Sequence, residues 1–282
     1  MIRRLARSSF GLVAALIAAL FLAPVARADD LGADALWVWW WDDPQELADY
    51  AVGNGFGRVY LFAEGGFGPK VRTAIADLGS AGVAVEALGG EKRWATDRRS
   101  DMLDFVRSAR RYDASAPPGA GLAGIHVDVE PYDLKAWDRD ERGTQLSLLR
   151  SLKAGARASR DLPFAADVPF WFDGIRLGKG RGSLSEAIIA ATDSTTIMAY
   201  RDSGPAVIEV ARREVRTAGE LGKTATVGVE TGDYEPPQIT FFQEGRAALA
   251  AALAGIEARF AADPGFGGTA VHHYGSLPEL GP

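Results

Sequence analysis

Short apolar runs with a two-residue period alternate along this chain with longer stretches whose apolar residues recur every three to four positions. The first pattern predicts strands at 35–40, 58–63, 83–88, 123–132, 163–172, 194–202, 224–233 and 268–277. The second predicts helices at 44–52, about 70–78, 101–112, 144–159, 183–193, 206–222 and 243–261. Local signals agree with these bounds. Pro44 stands in a first turn, Ser183 and Glu186 have capping-box spacing, and Gly222 stands just past a helix end. Eight strands alternating with helices in one domain predict an α/β fold, a single-domain (β/α)8 TIM barrel. The rival, an open doubly wound sheet, usually carries a glycine-rich first turn, and none follows "LWVWW". Only "PELGP" follows the last strand, so the eighth helix is expected to be short or absent.

A barrel places its chemistry where the strands end. Polar and aromatic residues gather at those ends: Trp39, Trp40, Trp41 and Asp42 after strand one, Glu64 after strand two, Glu91 and Trp94 after strand three. Asp128 and Glu130 follow on strand four, Asp167 and Trp171 on strand five, and Tyr200, Arg201 and Asp202 on strand six. Glu230 ends strand seven, and His272, His273 and Tyr274 lie on strand eight. In "AGIHVDVEPY", alternation turns Ile125, Val127 and Val129 toward the helices and His126, Asp128 and Glu130 toward the barrel axis. Ionisable groups on an inner face are costly unless paired or used.

Composition narrows the setting. A basic start, an apolar run from Phe10 to Leu22 and the "ARA" at 26–28 predict a secretory signal peptide over 1–28, leaving a mature domain at 29–282. The expected location is therefore secreted or periplasmic, with no membrane attachment once the signal is removed. The chain has no cysteine, so an exported domain must rely on its core. Losing the four arginines of the leader takes the net charge from −6 to −10. So acidic a protein is a poor partner for nucleic acid or anionic membranes, and neutral or cationic partners suit it better.

Carboxylates beside aromatic residues at a barrel mouth point to glycoside hydrolysis. That reaction needs a carboxylic acid protonated near neutrality and a second group that attacks or stabilises the sugar cation. Asp128 raises the proton affinity of Glu130 by like-charge repulsion, and Glu130, nearest the mouth, is the expected acid/base. The second group is either Glu230, as a nucleophile about 5–5.5 Å from Glu130, or the acetamido group of the substrate, oriented by Asp128 and supported by Tyr200. Trp39, Trp41 and Trp171 suit sugar faces, while His126, Asp42, Glu64, Asp167, Asp202, His272 and Tyr274 suit hydroxyls. The expected partner is a poly- or oligosaccharide, and no cofactor or metal is expected.

The segment Ala123, Gly124, Ile125, His126, Val127, Asp128, Val129, Glu130 resembles the D-G-x-D-x-D-x-E signature of family-18 chitinases on strand four. It keeps the final acid pair and replaces the first two aspartates with alanine and histidine. "MAYRD", Met198 to Asp202, is similar to the M-x-Y-D of that family on strand six, with Arg201 intervening. More loosely, "VEPY" and "VETGD" resemble the acid/base and nucleophile segments of clan A glycosidases, with Val129 where asparagine is usual. Both resemblances imply a barrel glycosidase, retention of anomeric configuration, and Glu130 as the acid.

Two other functions fit the same residues. A barrel lacking two signature aspartates can bind glycans without cleaving them. A metal-dependent hydrolase would use His126, Asp128, His272 and His273, although no HxH or HExxH pattern is present and alternation turns the last two histidines to opposite faces.

Overall fold

The computed structural model describes residues 30–282 except positions 179 and 181. The expected signal peptide, 1–28, lies outside the described residues. Eight parallel strands close into a barrel in sequence order. They are β1 (Ala35–Val38), β2 (Arg58–Phe62), β3 (Ala84–Gly89), β4 (Gly124–Val127), β5 (Phe164–Pro169), β6 (Ser194–Met198), β7 (Thr224–Glu230) and β8 (Phe266–His272). The helices are α1 (Pro44–Gly53), α2 (Pro69–Ser80), α3 (Arg99–Asp113), a short α4 (Lys135–Arg139), α5 (Glu141–Ser159), α6 (Leu184–Ala191), α7 (Gly204–Glu220) and α8 (Gly245–Phe260). After β8 only a 3-10 turn, Leu277–Glu279, stands where an outer helix would close the repeat.

Local chemistry explains the element ends. The Asp43 side chain accepts from the backbone N–H groups of Gln45 and Glu46, and Pro44 sits where a missing N–H costs nothing. Ser183 and Glu186 form a reciprocal capping box at α6. Gly222 takes φ 66° two residues past α7, a conformation costly for any residue with a Cβ.

Alternation sorts the core into two layers. Leu36, Val38, Val59, Leu61, Ile125, Val127, Val168 and Val229 face the helices. Inside the barrel, Ala35, Trp37, Tyr60, Leu88 and Ala270 form a smaller cluster, with Trp39 above it. Trp37 fills the axis edge-on to Tyr60, with centroids 5.1 Å apart. It fits because Gly228 faces it: a Cβ there would come within 2.7 Å of the indole.

The strands end sooner than their patterns predict. β4 stops at Val127 rather than continuing to 132; Asp128 still donates its N–H to the Gly89 carbonyl, and then Pro131, which has no N–H, opens a 3-10 turn over Pro131–Asp133. β1 stops at Val38 rather than at 40, and Trp41 lies beyond it. Its ring packs on the outer core under the Lys70 ammonium, 4.5 Å from the centroid. No helix among the described residues is long and apolar enough to cross a membrane.

Candidate active site at the barrel mouth

The barrel interior carries a line of bonded charges. At the start of β2 the Arg58 guanidinium donates to Glu86 Oε1 at 2.6 Å. Glu86 Oε2 lies 3.0 Å from His126 Nδ1, and His126 Nε2 lies 2.8 Å from Asp167 Oδ1. The other Asp167 oxygen accepts from the Trp37 indole at 3.2 Å. His126 is fully buried with the Tyr60 ring 3.9 Å away. Burial opposes its charge, but the Asp167 and Glu86 carboxylates outweigh that and push its pKa up to about 10. It is therefore an imidazolium donating from both nitrogens. This corrects its expected role as a ligand contact: it has no exposed face for a sugar and no lone pair for a metal. Asp167, likewise buried, serves this network.

A second chain crosses the mouth. The Trp39 indole donates to His272 Nε2 at 2.9 Å, so the ring proton sits on Nδ1 and is donated to Glu230 Oε2 at 2.7 Å. The other Glu230 oxygen accepts the backbone N–H groups of Thr231 and Gly232 at 2.8 and 2.7 Å. Glu230 is 3 % exposed. Both oxygens are thus engaged within the fold, so acting as the expected nucleophile would require Glu230 to release one of them. His273 turns away, packing against Trp40 with centroids 4.7 Å apart. Burial and its neighbour His272 lower its pKa to about 4.

Glu130 stands between two recesses. One, of about 260 Å³, is lined by Gly90, Glu91, Lys92, Asp128, Glu130 and Asp133. The other, of about 190 Å³, is walled by Tyr132, Phe170, Trp171, Met198 and Tyr200. The Tyr132 hydroxyl donates to Glu130 Oε1. Burial raises the proton affinity of Glu130; the Tyr132 bond opposes this, and Asp133 and Asp167 reinforce it. Asp128 is raised well above the usual carboxylate range by burial first and then by Glu130 and Asp167. Asp128 Oδ1 is buried with no partner. Burial and the carboxylates of Glu230, Asp167, Asp128 and Glu130 hold the Tyr200 phenol far above its ordinary value.

The structure therefore gathers Trp39, Asp128, Glu130, Asp167, Tyr200, Glu230 and His272 at one mouth. Trp171, 38 % exposed, meets Tyr132 edge-on at 5.2 Å. Glu64 accepts from the Gly90 N–H at 3.3 Å on the flank of the acidic recess. Three further expectations are corrected. Trp41 belongs to the outer core. Tyr274 packs edge-on against Tyr50 of α1 at 5.0 Å. Asp202 lines an apolar groove of about 390 Å³ between α7 and α8, apart from the acids. Asp42 is exposed on the β1–α1 loop. Sequence reasoning missed Glu86 and Tyr132. The lone acid in the apolar run 83–88 is the signal for the first, and the tyrosine two residues after Glu130 is the signal for the second. Among the described residues, no group of three or more His, Asp or Glu side chains is arranged to hold a metal ion.

A scan against protein-family models finds no match, and neither does a search of curated proteins. Solved structures do match. A GH18 chitinase from Pseudoalteromonas aurantia is 12 % identical with a TM-score of 0.56, over 86 % of this chain and 94 % of that one. A chitinase from Bacteroides thetaiotaomicron is 12 % identical with a TM-score of 0.54, over 88 % and 91 %. The L-Ala-D/L-Glu epimerase from Bacillus subtilis is 12 % identical with a TM-score of 0.50, over 91 % of this chain and 58 % of that one. At such identities the shared property is the barrel, which hosts both kinds of chemistry.

Proposed function

We propose that the chain is an O-glycosyl hydrolase in which Glu130 donates the proton to the departing glycosidic oxygen. The carrying observation is the place of Glu130: a half-buried carboxyl with raised proton affinity, open to an acid-lined recess and beside an aromatic one. As the C–O bond breaks, the proton on Glu130 passes to the leaving oxygen; water then adds its hydroxyl to the anomeric carbon and its proton returns to the Glu130 carboxylate. Asp128, with an unpartnered oxygen, holds a group on the sugar next to the breaking bond, and Tyr200 faces the same space. Tyr132 and Trp171 offer ring faces and edges to a pyranose. The barrel likeness to two chitinases agrees with a carbohydrate substrate. The leader-like composition of residues 1–28 supports an exported enzyme, and sequencing the mature N-terminus tests that.

A Glu130→Gln variant tests the assignment. Turnover on the responsive glycan falls by about 10²–10⁴ while affinity persists. Wild-type protein that binds glycan without cleaving any would replace the hydrolase with a glycan-binding barrel. Unchanged turnover in Glu130→Gln would remove Glu130 from the chemistry.

A further inference from the structure

The recess on the β3–β4 side of Glu130 has an unusual balance of donors and acceptors. Its side chains present the four carboxyl groups of Glu91, Asp128, Glu130 and Asp133 against one ammonium, Lys92, which leans on Asp133 at 3.9 Å. Glu91 Oε1 caps the turn Lys92–Ala95 by accepting from Arg93 N–H at 3.0 Å. Its other oxygen, Oε2, is buried and has no partner, as is Asp128 Oδ1. Two carboxyl oxygens of residues lining one recess are therefore buried without a hydrogen-bond partner, an arrangement that costs free energy until a partner arrives. No carbohydrate hydroxyl matches this lining well, because each brings one proton together with its own lone pairs. An ammonium brings three protons, no lone pair and a compensating charge.

We infer that the ligand of this recess is an amino-sugar chain carrying free, unacetylated amino groups, a polycation whose ammonium fills the gap between Glu91 and Asp128. This inference rests on the glycosidase reading and narrows its substrate class. The neighbouring wall of Tyr132 and Trp171 serves the apolar face of an adjoining sugar ring, so ammonium and ring are read on opposite sides of Glu130. The overall charge of −6 draws a polycation toward this surface and disfavours acidic glycans.

The test uses oligomers of glucosamine and of galactosamine, in α and β linkage, each as the free amine and as the matched N-acetyl form. Binding is followed by calorimetry and cleavage by released reducing ends. Wild-type protein is expected to favour at least one free-amine oligomer over its N-acetyl match by about tenfold or more in low salt, with the margin shrinking as salt rises. Glu91→Gln, and independently Asp133→Asn, which spares the Glu91 cap, should lower free-amine affinity more than N-acetyl affinity and narrow the margin. Cleavage of N-acetyl oligomers with equal or better affinity would overturn the inference and leave the hydrolase intact. Binding of no free-amine oligomer overturns it too, and silence toward every glycan removes both readings. Displacement of bound amine by millimolar calcium with no loss in Glu91→Gln would mean that another acid cluster holds the charge.

Discussion

His126 is a buried cation on the barrel axis, and its burial makes the consequence measurable. Its pKa is pushed from 6.5 to about 10, which corresponds to roughly 5 kcal/mol favouring the folded, protonated form. Breaking a buried ion pair by removing one partner costs about 3–5 kcal/mol, and this independent range brackets the same size of effect. A folded pKa raised above the unfolded value gives stability that is fully present below pH 6.5 and lost as pH rises through about 10. His126→Gln leaves Glu86 and Asp167 facing a neutral amide, so urea denaturation at pH 7 should find the variant about 3–5 kcal/mol less stable. Below pH 5 the two carboxyls can take up protons, and the gap should narrow. Nitrogen NMR of the three imidazoles gives a direct check, because His126 should keep both ring protons at pH 9. A His126 that titrates near 6.5, or a variant that loses less than about 1 kcal/mol, would refute the charged-clamp account.

Three other outcomes follow from the same coordinates. Tyr132→Phe removes the donor that favours ionised Glu130, so the alkaline limb of the pH–rate profile should move to higher pH; a limb that stays put would detach Tyr132 from the acid. Glu214 of α7 is buried with neither oxygen completing a hydrogen bond, and burial lifts its pKa to about 8 despite slight relief from Ser185. Stability should therefore fall from about pH 4.5 to pH 8, by on the order of 3 kcal/mol between pH 5 and 8, and Glu214→Gln should flatten that slope in a denaturation series. Gly228→Ala puts a methyl 2.7 Å from the Trp37 ring and 3.0 Å from the Ile197 carbonyl, so calorimetric unfolding should show a loss of about 1–3 kcal/mol.

Period and punctuation reveal most of this architecture in the sequence. Inner and outer faces of β1, β4 and β7 follow the two-residue alternation, because one face meets helices and the other a filled barrel. The points where regular pairing stops are harder to read, since the βα loops keep strand-like alternation after the backbone has left the sheet. Trp41 and Tyr274 lie beyond the ends of β1 and β8, and their rings pack against the outer core. Side-chain alliances are less visible still. The partners of Glu230, two backbone N–H groups and His272, come together only in the folded loop. The pair Asp128 and Glu130 is legible because strand position alone carries both just past the end of β4.

The axial network also sets what a visiting molecule feels from below. From the base of β2 upward the interior runs plus, minus, plus, minus through Arg58, Glu86, His126 and Asp167. Each sign cancels its neighbour within a few ångströms, so the column projects little field beyond its own length. The floor is then electrostatically quiet, and the potential above it is written by the loop acids. Loop exchange should consequently retune the preferred guest without disturbing the pillar that holds the staves apart.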